Sequence, residues 1–154
     1  MDGFLAGKIV ISAGFGVWSI LNVYNHFADF NGALQGVAGF MKMSSLDEPP
    51  PIPSPLKRRA IEDPFLHRLA LIVITVVHGV NAVLFSVATI LLLSGAAGAG
   101  SQWALWGFAL SAALWFVFLI AGDWFAYWIR LDALQRTHLA LLATAMLGLV
   151  LMSA

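Results

Sequence analysis

Four long stretches of hydrophobic residues divide the chain, at about 4–27, 66–93, 103–121 and 134–152. A helix needs about 20 mostly apolar residues to cross the hydrocarbon core of a bilayer, because every backbone amide there must bond within its own segment. Each stretch has about this length. The pattern therefore predicts an all-α fold, a single domain over 1–154 built as an integral membrane bundle of four transmembrane helices.

The connections between these stretches differ in length. Residues 94–101 are rich in Gly, Ala and Ser and carry no charge, which predicts a short flexible turn between antiparallel neighbours. The connection 28–65 is far longer than the usual few residues, and such length favours a functional or partner-binding role. The last connection covers roughly 122–133.

The long connection has two parts. Four apolar residues of its first part recur at helical spacing and predict a short interfacial helix: Phe30, Leu34, Val37 and Met41. Its second part, 49–55, contains five of the six prolines and predicts extended polyproline without helix.

Composition narrows the possible functions. With 60% hydrophobic and 10% charged residues, the chain is too apolar for a soluble fold of 154 residues. Its net charge of zero does not favour a nucleic-acid partner. The absence of cysteine excludes disulfides, thiolate metal sites, iron–sulfur clusters and c-type haem. The first stretch lacks a small-residue cleavage site before Asn25-His26, so we expect a retained membrane anchor rather than a signal peptide.

Alternating spans place both longer connections on one side of the membrane, which we call the loop face. Seven of the eight Lys and Arg residues belong to it: Lys42, Lys57, Arg58, Arg59, Arg68, Arg130 and Arg136. Only Lys8 lies on the opposite side. The positive-inside rule then predicts a cytoplasmic loop face, and we expect a multi-pass protein of a bacterial inner membrane.

The same topology brings titratable side chains to helix ends at the loop face: His26, Asp29, His67, Asp123 and His138. Neighbouring helix axes lie about 10 Å apart, so these groups could converge on a small polar pocket. Imidazole and carboxylate suit zinc, copper or iron, but no tight motif supports a metal site at His26, His67, Asp123 and His138. Capping of helix ends and contact with lipid headgroups is the favoured interpretation.

His78 lies near the middle of the second stretch, where a polar group is costly and needs a partner. A b-type haem would require a second histidine at that depth, and the other three lie nearer the interface, so haem is disfavoured. We predict a hydrogen bond from His78 to a neighbouring helix, shared with Asn81. Trp18 and Trp115 also lie mid-span, where they fill the core or face lipid in preference to touching a quinone or pigment.

Two motifs carry a family resemblance. The stretch 59–67, Arg-Ala-Ile-Glu-Asp-Pro-Phe-Leu-His, leads into the second helix, and 123–128, Asp-Trp-Phe-Ala-Tyr-Trp, follows the third. With Asn25 and Asp29 after the first helix, they resemble the predicted small integral membrane proteins called domain of unknown function 2165. The resemblance spans nearly the whole chain and implies four helices but no known activity.

The resemblance also implies a polar cluster on one face: Asn25, Asp29, Arg59, His67, Asp123, Trp124, Trp128 and Gln135. Two features depart from the family: His78 stands where its members tend to have Glu, and the Pro-rich segment replaces a more ordinary connection. Members also tend to be basic in the turn between helices two and three, which implies the opposite orientation to the one predicted above.

Three functional hypotheses follow. The first is a non-catalytic accessory subunit of a larger bacterial membrane complex, respiratory or photosynthetic, in contact with lipid and other membrane subunits. It rests on the absence of any nucleophile–base set, phosphate loop or convincing cofactor pair. The alternative is a quinone- or metal-binding redox membrane protein that uses the polar cluster, with quinone or lipid as its ligand. Transport is a weaker third hypothesis, since His78 is the only ionisable residue near mid-membrane.

Overall fold

A computed structural model describes residues 3–154. It contains five α-helices: α1 Gly3–Ala28, α2 Phe30–Met41, α3 Pro64–Leu93, α4 Ala97–Trp124 and α5 Asp132–Ser153. Short 3-10 helices lie at Ser44–Leu46, Pro55–Arg59 and Tyr127–Ile129. All helices except α2 are long and apolar enough to cross a membrane. The predicted all-α membrane bundle of four spans is therefore confirmed.

Neighbouring spans run antiparallel and are joined by a few polar contacts. At one end of the bundle, Lys8 Nζ of α1 donates a hydrogen bond to Ser101 Oγ of α4, at 3.2 Å. Near the other end of α1, His26 Nδ1 lies 2.8 Å from Thr75 Oγ1 of α3. Because α1 packs on α3, α3 on α4 and α4 on α5, both longer connections emerge at the same end, the loop face.

The centre of the bundle is packed with aromatic rings. Phe15, Phe85 and Phe108 come from three different helices, and their ring centroids lie 4.8–5.4 Å apart. Two glycines make room for these rings. A Cβ on Gly107 would lie 2.7 Å from a carbon of the Phe85 ring, and one on Gly148 would lie 2.5 Å from the Phe108 ring. The helices can approach this closely only because glycine has no side chain at these two positions.

The turn between α3 and α4 is shorter than predicted. Helix α4 begins at Ala97, so much of the Gly-rich segment predicted as a turn belongs to the helix. Gly95, with a φ of 88°, reverses the chain within a few residues. Gly100 is consequently buried against α3, where a Cβ would lie 2.7 Å from Leu92 Cγ. The third span therefore starts six residues before the predicted Trp103.

The Pro-rich segment is not uniformly extended, contrary to prediction. Residues 51–54 lack helix and strand, but Pro55 opens the 3-10 helix Pro55–Arg59, whose N-cap is Ser54. Proline suits the first turn of a helix, since its missing N–H has no partner there. The Pro49–Pro50 peptide bond is cis.

Helix α2 coincides with the predicted interfacial helix. The Asp29 carboxylate accepts a hydrogen bond from the Gly32 N–H at 2.8 Å and so caps the first turn of α2. Helix α2 packs against α3. Beyond it, residues 42–63 fold together with 125–131 over the end of the bundle, around the buried side chains of Met43, Leu46 and Phe125. We call residues 42–63 and 125–131 the loop cap.

The close approach at Gly107 can be tested by adding a methyl group. Gly107→Ala forces the Cβ into the Phe85 ring, and we expect the free energy of unfolding to fall by about 1–3 kcal/mol. Thermal and denaturant unfolding in detergent would measure this loss. The control is Gly98→Ala on the same helix, which meets open space and should change stability by less than about 1 kcal/mol. Equal stability of the two variants would contradict the packing described.

Candidate functional site at the loop face

The predicted polar residues lie at two levels rather than in one pocket. His26 contacts Thr75, about three turns into α3. His67 lies in the first turn of α3, and its Nε2 is 2.8 Å from the Ile61 carbonyl oxygen. The structure therefore does not bring His26, His67 and Asp123 together. Within residues 3–154, no three His, Asp or Glu side chains are grouped so as to hold a metal ion.

The outer level fastens the loop cap to the bundle. His67 is 3% exposed, and its bond to Ile61 ties the end of the long connection to α3. The Arg59 guanidinium lies over the Trp124 indole, 5.1 Å from the ring centroid, and donates to the Trp124 carbonyl at 3.5 Å. With Asp29 as the cap of α2, half of the eight residues of the predicted polar cluster hold elements in place.

The other four residues of that cluster are exposed or half-buried. Asn25 is exposed on α1, Gln135 is half-buried on α5, and Asp123 and Trp128 are exposed around the α4–α5 connection. Asp123 acts on Tyr127 through its charge. Burial, and after it the Asp123 carboxylate, raises the pKa of Tyr127 above the ordinary value of 10.0.

The inner level is a run of aromatic side chains, which we call the ring column: His26, His78, Trp115, His138 and Tyr127. Successive ring centroids along it lie 6.1, 6.2, 6.1 and 6.2 Å apart. Trp18 stacks on Trp115 at 5.5 Å, so the two mid-span tryptophans pack together within the bundle. The column joins α1, α3, α4, α5 and the loop cap.

Several members of the ring column carry buried polar atoms without a hydrogen-bond partner in residues 3–154. They are His78 Nδ1, Trp115 Nε1, His138 Nδ1 and the Tyr127 hydroxyl. The hydrogen bond predicted from His78 to a neighbouring helix is not formed, since His78 packs among rings while Asn81 Nδ2 alone donates to Ser111 Oγ, at 3.2 Å. An unpaired buried polar group costs about 1–3 kcal/mol, and such groups often mark ligand or functional sites.

A cavity of about 540 Å³ adjoins the ring column at His138. Helix α4 forms its floor with Val117 and Phe118, and α2, α3 and α5 contribute its walls. The α3 residues that line it, between Leu66 and Ile74, all lie on the loop side of Thr75. The cavity therefore begins at the level where α1 ends.

The sequence predicted His26 and His138 in one polar pocket at the loop face but treated His78 and Trp115 separately, so the ring column as a whole was not predicted. Tyr127 was noticed only as part of the motif 123–128, and the cavity was not foreseen. The relevant signal is helix offset: His26 pairs with Thr75, and His138 contacts Phe118, at a ring-centroid distance of 5.0 Å. Such offsets depend on how the helices pack against one another, which hydrophobic length alone does not reveal.

The comparisons identify a family but no characterised protein. The family described as "Predicted small integral membrane protein (DUF2165)" matches residues 4–154, nearly the whole chain. No curated protein and no solved structure matches the chain.

The environment of Tyr127 can be tested by alkaline titration. The chain has two tyrosines, so Tyr24→Phe leaves Tyr127 alone, and its near-ultraviolet tyrosinate absorbance reports its pKa. Because burial raises that pKa, the phenol should titrate above pH 10.0 in the folded protein and at the ordinary value after unfolding. The folded state then holds a proton that the unfolded chain loses, so stability falls as pH rises beyond 10.0. Identical titration in folded and unfolded protein would show that Tyr127 is not enclosed.

Proposed function

The chain belongs to the DUF2165 family of predicted small integral membrane proteins, and from this premise we propose that it is a non-catalytic accessory subunit of a larger membrane complex. We place that complex in a bacterial inner membrane and in the respiratory or photosynthetic class. The loop cap is the proposed contact with the partner subunit, and the distribution of Lys and Arg, with seven of the eight on the loop face, supports a cytoplasmic position for it.

The observation that carries the proposal is the fixed conformation of the loop cap. The Arg130 guanidinium donates to the backbone carbonyls of Glu48, at 3.3 Å, and of Pro50. Lys57 pairs with Asp47, and Lys42 Nζ lies 3.5 Å from a Glu62 carboxylate oxygen. Ordering a residue costs about 1–2 kcal/mol of backbone entropy. A connection held by so many contacts is better explained as a shaped surface than as a simple link between helices.

Contacts within the backbone reinforce that shape. The Ile52 N–H donates to the Leu46 carbonyl at 2.8 Å, and the Ile61 N–H donates to the Met41 carbonyl at 2.9 Å. Beneath these bonds lies the small core of Met43, Leu46 and Phe125. The connection therefore has hydrophobic and polar support of its own.

The outward side of the loop cap suits a protein partner. Five of its exposed residues are prolines, and charged residues stand beside them: Glu48, Pro49, Pro50, Pro51, Pro53, Pro55 and Arg58. Proline-rich segments bind aromatic-lined grooves at low entropic cost, because their conformation is already restricted. By contrast, Arg59 and His67 are engaged within the protein. The pattern favours recognition over catalysis.

The proposal is tested by site-specific photocrosslinking in native membranes. A photoreactive residue at Pro53 should give one defined protein adduct, which mass spectrometry would identify as a subunit of a larger complex. The same residue at Val150, which is 69% exposed on α5, serves as a control outside the loop cap and should not capture that subunit. The tagged wild-type protein should also copurify with it in mild detergent.

A charge variant tests whether the shape of the cap matters. Arg130→Gln removes the guanidinium that bonds the carbonyls of Glu48 and Pro50 but changes no proline. We expect about tenfold less copurified partner, equivalent to about 1.4 kcal/mol of binding free energy. Arg136→Gln is the matched control, since Arg136 pairs only with Asp132, at 2.5 Å on the surface. A protein that purifies alone and gives no adduct at Pro53 would refute the accessory role.

A further inference from the structure

We propose that the cavity beside His138 is a binding site for a neutral lipophilic quinone, a planar ring bearing carbonyl oxygens and an apolar tail. This inference is independent of the accessory role and concerns the interior of the bundle rather than the loop cap. It differs from the predicted cluster of eight polar residues, none of which lines the cavity.

The cavity has the size and form of a small-molecule site. Its volume of about 540 Å³ falls within the range of about 300–1,000 Å³ typical of ligand pockets. It occupies the space beyond the end of α1, between α3 and α5 on the floor provided by α4. Helix α2 limits it with Val37 and Phe40.

The lining favours a ligand that enters from the bilayer. Leu69, Val73 and Val117 line the cavity and are 44%, 52% and 58% exposed, so the cavity opens sideways on surfaces that face lipid. No Lys, Arg, Asp or Glu lines it. A charged or strongly hydrated ligand would lose its hydration without compensation, whereas an apolar tail would extend from the opening into the bilayer.

His138 supplies the polar contact for a head group. It is the only titratable residue that lines the cavity, it is 9% exposed, and its Nδ1 has no hydrogen-bond partner in residues 3–154. An imidazole carries at least one N–H donor in either protonation state. A quinone carbonyl is a matching acceptor for an N–H of the His138 ring, which lines the cavity.

The aromatic walls favour a planar ring over a lipid acyl chain. Phe118 lies 5.0 Å from His138, and Phe40 lies 5.3 Å from Phe125, measured between ring centroids. All four side chains line the cavity. Flat rings gain from stacked or edge-to-face contact with such walls, and a flexible chain gains less.

The test measures binding of a short-tailed benzoquinone to the purified full-length protein in lipid nanodiscs. A tail-matched benzene derivative without carbonyls is the comparison ligand, and equilibrium dialysis gives both dissociation constants. The wild-type protein should bind the benzoquinone saturably, at least about fivefold more tightly than the comparison ligand.

Two variants separate the cavity from its polar group. His138→Phe keeps an aromatic ring but removes the nitrogens, and should weaken benzoquinone binding about three- to tenfold while leaving the comparison ligand unchanged. Val73→Phe narrows the opening, leaves His138 intact and should weaken both ligands. Val80→Phe, on the same helix and 45% exposed but outside the cavity, should bind like the wild type.

Three results would overturn the proposal. Benzoquinone uptake that is not saturable would reflect partition into lipid alone. Equal binding of both ligands in the wild type would mark an acyl-chain groove. Unchanged binding in Val73→Phe would place the ligand elsewhere. None of these results bears on partner capture by the loop cap, so the two proposals fail separately.

Discussion

Helix α3 extends about three turns beyond the end of α1 toward the loop face. The hydrogen bond between His26 and Thr75 marks the level at which α1 ends. A membrane bundle must fill or cover the space beyond the end of a helix, because unpaired backbone groups and gaps in hydrocarbon are costly. Here α2 turns against α3, the loop cap covers the end of the bundle, and a cavity remains between them. The architecture of the loop face follows from this one offset between α1 and α3.

The ring column stands directly at that level. Aromatic rings allow polar atoms to be enclosed in a core that is otherwise apolar, since most of each side chain packs as a hydrophobe. His78, Trp115, His138 and Tyr127 each leave one such atom without a partner. Arg59 and His67 at the outer level show the opposite design, since both are engaged with backbone carbonyls. Outer polar residues thus serve the fold, while unused hydrogen-bonding capacity lies in the ring column, of which His138 lines the cavity.

The sequence predicted the membrane bundle well because spanning a bilayer imposes a length that hydrophobic patterns record directly. Sequence-based prediction was wrong where the local composition suggested one conformation and the packing of the helices imposed another. Gly98 and Gly100 look like a flexible turn, yet the turn at Gly95 is tight enough for Gly100 to pack on Leu92 as part of α4. Pro55 looked like extended chain and opens a 3-10 helix. The equal depth assigned to His26 and His67 was misleading because it assumed that neighbouring helices end together.

The central claim is that the long connection is a folded part of the bundle, and amide hydrogen exchange in lipid nanodiscs tests it most directly. The Ile52 and Ile61 amides, bonded to Leu46 and Met41, should exchange far more slowly than in the unfolded chain, with protection like that of α2. Exchange of both amides at the rate of an unfolded peptide would mean that residues 42–63 form a loose linker. The shaped surface for a partner would then not exist.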